Sequence, residues 1–119
     1  MRIVHFEIPA DDPARAMAFY QSAFGWSFDK WEGPMEYWMV KTGEGPGIDG
    51  GLMRRAAPGQ APTNVVAVPS VDEATSKIVQ AGGTVVAPKM AVPGVGWTAY
   101  FADPEGNAFG VMQFDAAAA

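Results

Sequence analysis

Apolar and polar positions alternate from the start of the chain. In Ile3–Ile8, Ile3, His5 and Glu7 fall on one side and Val4, Phe6 and Ile8 on the other, the period of a strand with one apolar face. The period then changes. Asp12-Pro13 predicts a helix start, with Asp as N-cap and Pro at the first helical position, and Ala16, Tyr20 and Phe24 recur on one helical face until Gly25. Strand-like runs follow at Trp26–Trp31, Glu36–Lys41 and Ile48–Arg54, ahead of a stretch over 56–63 whose Pro, Gly and Ala content reads as a linker. The order then recurs. Asn64–Val68 predicts a strand, and Ser70-Val71-Asp72-Glu73 a capping box opening a helix through Ala74, Ile78 and Ala81 that Gly82-Gly83 closes. Strands are expected again at Thr84–Pro88, Trp97–Ala102 and Asn107–Phe114, the last after the turn DPEGN.

A shift of 59 residues lays Trp38 on Trp97, Gly47 on Gly106, Gly51 on Gly110, Met53 on Met112 and His5 on Asn64. The fold class that follows is α+β: two tandem βαβββ modules forming a curved mixed sheet with an open concave cup and the helices on its convex side. Module one is expected over 1–55 and module two over 64–115, with Ala116–Ala119 as a frayed tail.

A chain of 119 residues is long enough to bury a core as one domain, and about half its residues are apolar. It has no cysteine, which removes disulfides, Cys-ligated zinc, Fe–S clusters and thiol catalysis and fits a cytoplasmic location. A net charge of −5 with scattered basic residues argues against nucleic acid. No apolar run approaches the roughly 20 residues of a membrane span, and the opening MRIVHFEIP is expected to enter a strand without a leader.

Two βαβββ modules in a chain of this length, with the opening strand carrying His5, the helix end AFYQSAFGW and the DPEGN turn before the last strand, resemble the vicinal oxygen chelate superfamily of glyoxalase I, bleomycin-resistance proteins and extradiol dioxygenases. The resemblance covers essentially the whole chain. It implies a homodimer whose modules pair to build cups that each face a small ligand. It also implies that metal ligands, where present, come from the inward side of four strands, at His5, Gly51, Asn64 and Gly110 here. Only His5 is a usual ligand among these, since glycine offers no side chain and an amide is a poor donor for such metals. The two glycines read equally as removed ligands that open space in the cup, or as points of close backbone approach in a curved sheet.

His5 is the only histidine, so any imidazole chemistry uses it, with Glu7 beside it as orienter or second ligand. These two are the catalytic candidates, and the alternative is a histidine hydrogen-bonded in a polar cavity without catalysis. Trp38 and Trp97 read as aromatic walls of a ligand site, or as core or dimer-interface packing. Met53, Phe101 and Met112, with Tyr37 and Met39, add an apolar lining, and Asn64 completes the expected ligand-binding set. GEGPGIDGG over 43–51 precedes a strand and no helix, so it lacks the mechanism of a phosphate cradle. Arg54 and Arg55 read as a solvated strand end or as partners of an anionic ligand. The function expected is a protein binding a small, largely apolar or aromatic molecule in a cup at a dimer interface, with no cofactor. The alternative is a lyase or isomerase related to glyoxalase I, with an incomplete site for a weakly held divalent metal.

Overall fold

A computed structural model describes residues 1–119. The chain is α+β, with the elements β1 (Ile3–Ala10), α1 (Pro13–Phe24), β2 (Ser27–Lys30), β3 (Tyr37–Lys41), β4 (Gly50–Arg54), β5 (Thr63–Ala67), α2 (Val71–Gln80), β6 (Thr84–Val92), β7 (Gly96–Ala102) and β8 (Ala108–Phe114). The βαβββ order occurs twice. Two compact units follow this division, His5–Pro62 forming one, and Thr63–Ala119 with the first four residues forming the other. They are called modules one and two below.

In module one the strand order is β2-β3-β4-β1, with β1 and β4 parallel and the other pairs antiparallel. Asp12 caps α1 by accepting a hydrogen bond from the Arg15 N–H at 3.1 Å, Pro13 stands at the helix start, and Gly25 ends the helix at φ 73°. The core holds Ala10, Val40 and Leu52, joined by Phe6 and Ile8 from β1 and by Ala16 and Met17 from α1. One face of the sheet is therefore covered by α1. Tyr20 of α1 stacks on Trp26 at 5.0 Å.

Module two repeats the plan as β5-β8-β7-β6, with β5 and β8 parallel. The Ser70 hydroxyl accepts from the Glu73 N–H at 3.2 Å, and the Gln113 side chain accepts from the Val71 N–H at 3.0 Å, so a β8 residue finishes the start of α2. Val68, Val71, Ala74, Ala99, Phe101 and Val111 form the core. Burying a side chain such as Phe101 or Leu52, both wholly inaccessible, contributes about 1.5–3 kcal/mol.

Several boundaries move. β4 starts at Gly50 and not Ile48, because the Ile48 carbonyl is taken by the Thr42 hydroxyl at 2.8 Å and belongs to the preceding loop. β6 runs on to Val92, absorbing Pro88 at an irregularity in its pairing with β7. The terminal alanines do not fray: the Ala118 N–H donates to the Asp115 carbonyl, its own carbonyl accepts from Gly94, and Ala118 is 4% exposed.

The repeat itself is in a different register from the one a constant shift gives. With Gly51 set on Gly110, Leu52 falls on Val111. Leu52 lies opposite Trp38, whereas Val111 lies opposite Ala99, so the counterpart of Trp38 is Ala99 and that of Val40 is Phe101. Trp38 and Trp97 share equivalent strands two positions apart. Along the parallel pair, Glu7 meets Gly51 while Val65 meets Gly110, which makes Thr63 the counterpart of His5 and Phe6 that of Asn64.

Candidate functional site

The face of module one away from α1 carries His5 and Glu7, because Phe6, Ile8 and Ala10 take the helix side of β1. Tyr37, at the start of β3, completes a three-residue cluster with them. The His5 Nε2 lies 2.7 Å from the Tyr37 hydroxyl, and that hydroxyl donates to Glu7 Oε2 at 2.9 Å. The imidazole and phenol rings are nearly coplanar, 11° apart, and Trp31 meets the Tyr37 ring edge-on at 6.3 Å. Met39 and Met53 share this face by strand alternation, Met39 lying opposite Gly51 and Met53 opposite Tyr37.

Burial pushes the His5 pKa below the ordinary imidazole range, against the weaker opposing pull of the negative Glu7 and Asp49. The neutral ring is thus the favoured form. Its tautomer follows from counting protons. A carboxylate only accepts, so the single Tyr37 hydroxyl proton goes to Glu7, and the Tyr37 oxygen accepts from His5 Nε2–H. Nδ1 then carries a lone pair.

Gly51 lies under this cluster. A Cβ there would overlap the Tyr37 hydroxyl and ring, and one on the neighbouring Gly50 would overlap the Phe6 ring on the opposite face. The glycine pair lets an aromatic ring approach the sheet from each side. Gly110 is covered in a related way, with the Tyr100 ring 3.0 Å from its would-be Cβ and Val65 at 3.5 Å.

Other expected site residues lie elsewhere. Phe101 is wholly buried in the module-two core, beyond the reach of a ligand. Trp38 and Trp97 pack against the cores of their modules, each with a lysine over its outer face: Lys30 at 5.9 Å and Lys89 at 4.9 Å from the ring centres. The Trp97 Nε1–H donates to Asp115 at 3.2 Å. Asn64 is exposed and alternates with Val65, so it does not share the face of Gly110. Met112 does share it, as Met53 shares that of Gly51. Arg54 is paired with Glu36, and Arg55 with Asp11 and the Pro9 carbonyl. The hollows of about 140 Å³ beside Thr42–Asp49 and about 470 Å³ beside Arg55 and 56–59 do not include His5, Glu7 or Tyr37.

The metal-ligand set of the resembled superfamily does not fit these side chains. No group of three or more His, Asp or Glu converges in the structure. Of the four expected positions, Gly51 is covered by a phenol, Gly110 by a second one, and Asn64 is on another face. Sequence patterns found His5, Glu7 and the glycines but missed the role of Tyr37. The available signal was a tyrosine on the strand opposite a Gly-Gly pair, where a large ring needs a bare backbone.

With the fold and this cluster in view, comparison with known proteins places the chain. Residues 2–43 match the family described as bleomycin resistance protein-like N-terminal. The glyoxylase-named protein CFP32 of Mycobacterium tuberculosis (strain CDC 1551 / Oshkosh) is 32% identical over 112 residues, which are 90% of this chain and 42% of that protein. Methylmalonyl-CoA epimerase from Mycobacterium tuberculosis superposes with a TM-score of 0.69 over 92% of this chain and 85% of its own, at 12% identity. A variant of the Streptomyces coelicolor methylmalonyl-CoA epimerase, in complex with 2-nitronate-propionyl-CoA, gives 0.67 over 100% and 98%, at 16% identity. The family match, the glyoxylase-named relative and the epimerase folds all fit the vicinal oxygen chelate superfamily. The chain spans less than half the length of the curated relatives it matches, and its likeness to the epimerases is one of fold. No helix in it is long and apolar enough to cross a membrane.

Proposed function

We propose that this protein binds a small, largely apolar or aromatic molecule against the His5–Tyr37–Glu7 face, without a metal, at an interface between two copies of the chain. One observation carries the reading: the Tyr37 hydroxyl occupies the space over Gly51, where the superfamily pattern would set a ligand side chain. Tyr37, Trp31, Met39 and Met53 supply apolar surface, and His5 with Glu7 supplies a polar anchor. The cysteine-free sequence suits the cytoplasm, and the net charge of −5 suits a partner other than nucleic acid.

Elemental analysis of protein purified without chelator, with calorimetry against Ni²⁺, Zn²⁺, Mn²⁺ and Fe²⁺, tests the metal part. The expected result is only weak, dialysable binding. Near-stoichiometric metal that is lost in His5→Ala overturns the reading. Sedimentation at micromolar concentration tests the dimer, and a monomer counts against it.

A second reading, a lyase or isomerase, is favoured by the hydrogen-bonded chain itself and by the glyoxylase-named relative. Tyr37, itself held by Glu7, engages one nitrogen of His5, which leaves the other free to take a proton from a substrate.

A further inference from the structure

The hydrogen bonds of the cluster determine what kind of polar group a ligand must bring. Both donors nearest the site are committed: the Tyr37 hydroxyl to Glu7, and His5 Nε2–H to Tyr37. A ligand offering only an acceptor, such as a ketone, therefore finds no spare proton there. An anion fares worse, since Glu7 and Asp49 set negative charge beside His5, and the arginines Arg54 and Arg55 stand at the other end of β1, engaged there. Arg54 binds Glu36 and the Asp11 carbonyl, and Arg55 binds the Pro9 and Gln60 carbonyls and the Asp11 side chain.

What the cluster leaves available is an acceptor. His5 Nδ1 makes no hydrogen bond within the protein. Arg55 Nε, ion-paired with Asp11, is the one fully enclosed side-chain polar atom without a hydrogen-bond partner, so Nδ1 keeps contact with solvent and is open to a ligand. The Tyr37 ring lies beside the imidazole, Trp31 stands edge-on to that ring, and Met39 and Met53 continue the same face along β3 and β4.

We propose that His5 Nδ1 is the recognition atom of the module-one face, accepting a hydrogen bond from the N–H or O–H of an otherwise apolar, aromatic-sized ligand. This rests on the small-molecule reading above and names the chemistry of its ligand. Glu7 and Tyr37 act as positioning residues: they fix the tautomer that exposes the lone pair, as a carboxylate does for a histidine in other sites. The groups facing His5 are Glu7 on its own strand, Tyr37 from β3 and Asp49 from the loop before β4. Burial keeps the ring neutral at ordinary pH, so recognition is lost only on acidification below the usual imidazole range.

Because His5 is the only histidine, the ¹⁵N spectrum of the labelled full chain reports one imidazole. The free protein should show a protonated, pyrrole-like Nε2 and a bare, pyridine-like Nδ1. Phenol is the probe, and anisole, which lacks the O–H, is its control. Phenol should move the Nδ1 resonance toward the protonated range and bind about three- to tenfold more tightly than anisole, the worth of one net hydrogen bond. In Tyr37→Phe the tautomer should become mixed and the preference for phenol should shrink toward none. A free protein protonated at Nδ1 overturns the proposal, as does equal affinity for phenol and anisole. Equal binding leaves the small-molecule reading standing. If neither compound perturbs any amide of β1, β3 or β4, both readings fail.

Discussion

The two modules share a frame and differ in what they do with it. Each bares a glycine on β4 or β8 and covers it with a tyrosine, Gly51 under Tyr37 and Gly110 under Tyr100. In module one the tyrosine reaches diagonally from opposite Met53 and bridges a histidine to a carboxylate. In module two it comes from directly across the strand pair, and the positions matching His5, Glu7 and Tyr37 hold Thr63, Val65 and Thr98. Val65 is 4% exposed, and the buried Thr98 hydroxyl donates to the Val111 carbonyl. Ionisable groups therefore collect in the first module, while the second uses the equivalent positions for packing. One fold supports both because the core face sustains it, and the other face is free to diverge.

The largest test of this contrast is on the shared core. Phe101 and Val40 are counterparts, 0% and 1% exposed, yet the ring is much larger. Phe101→Ala should cost about 3–5 kcal/mol in chemical denaturation and Val40→Ala about 2 kcal/mol. A loss below 1 kcal/mol at Phe101 would contradict its place in the core. Next come the glycines. Gly51→Ala forces a Cβ into a tyrosine held by two hydrogen bonds and should destabilise by about 1–3 kcal/mol. Gly110→Ala meets the side of the Tyr100 ring at 3.0 Å and Val65 at an ordinary contact distance of 3.5 Å, and should cost less than about 1 kcal/mol. The reverse order would undo the distinction between the two sites.

The smallest effects come from pH, in a separate window for each module. His5 is held neutral by burial, so the unfolded chain binds the extra proton first. Its contribution is complete above the ordinary imidazole value and is lost as pH falls from there toward the lowered folded value. His5→Gln should flatten that part of the stability–pH curve, and an unchanged curve would refute the assignment. In module two, the Asn107 and Glu105 backbone N–H groups hold the Asp103 carboxyl below its usual value within the DPEGN turn. That contribution is present above the ordinary carboxylate value and is lost as pH falls through the lowered one, and Asp103→Asn should remove it. A loss in the imidazole range surviving in His5→Gln would have to come from elsewhere.

The local signals in the sequence carried a long way. Asp12-Pro13, Ser70 with Glu73, and Gly25 mark helix ends by chemistry contained within four residues, and the structure uses each of them. The alternation that sets His5 and Glu7 opposite Phe6 and Ile8 is equally local. The repeat was visible, but its register was not, because matching glycines and tryptophans at one shift assumes that every connection has the same length. The loops do not: eight residues join β3 to β4 and five join β7 to β8, and the strand pairing slips by two. A slip of one on β5 is enough to move Asn64 off the face that His5 occupies in module one.

The sequence by itself determined the elements, their order and the α+β class, since periodicity, caps and turns act between neighbours along the chain. Tertiary structure alone decided which faces Trp38, Trp97 and Phe101 take, and that Tyr37 bridges His5 to Glu7 over Gly51. Those outcomes depend on pairing between strands, from 8 residues apart at Phe101 and Phe109 to 30 or more for the Tyr37 hydrogen bonds, where the packing of each core against its helix selects the register.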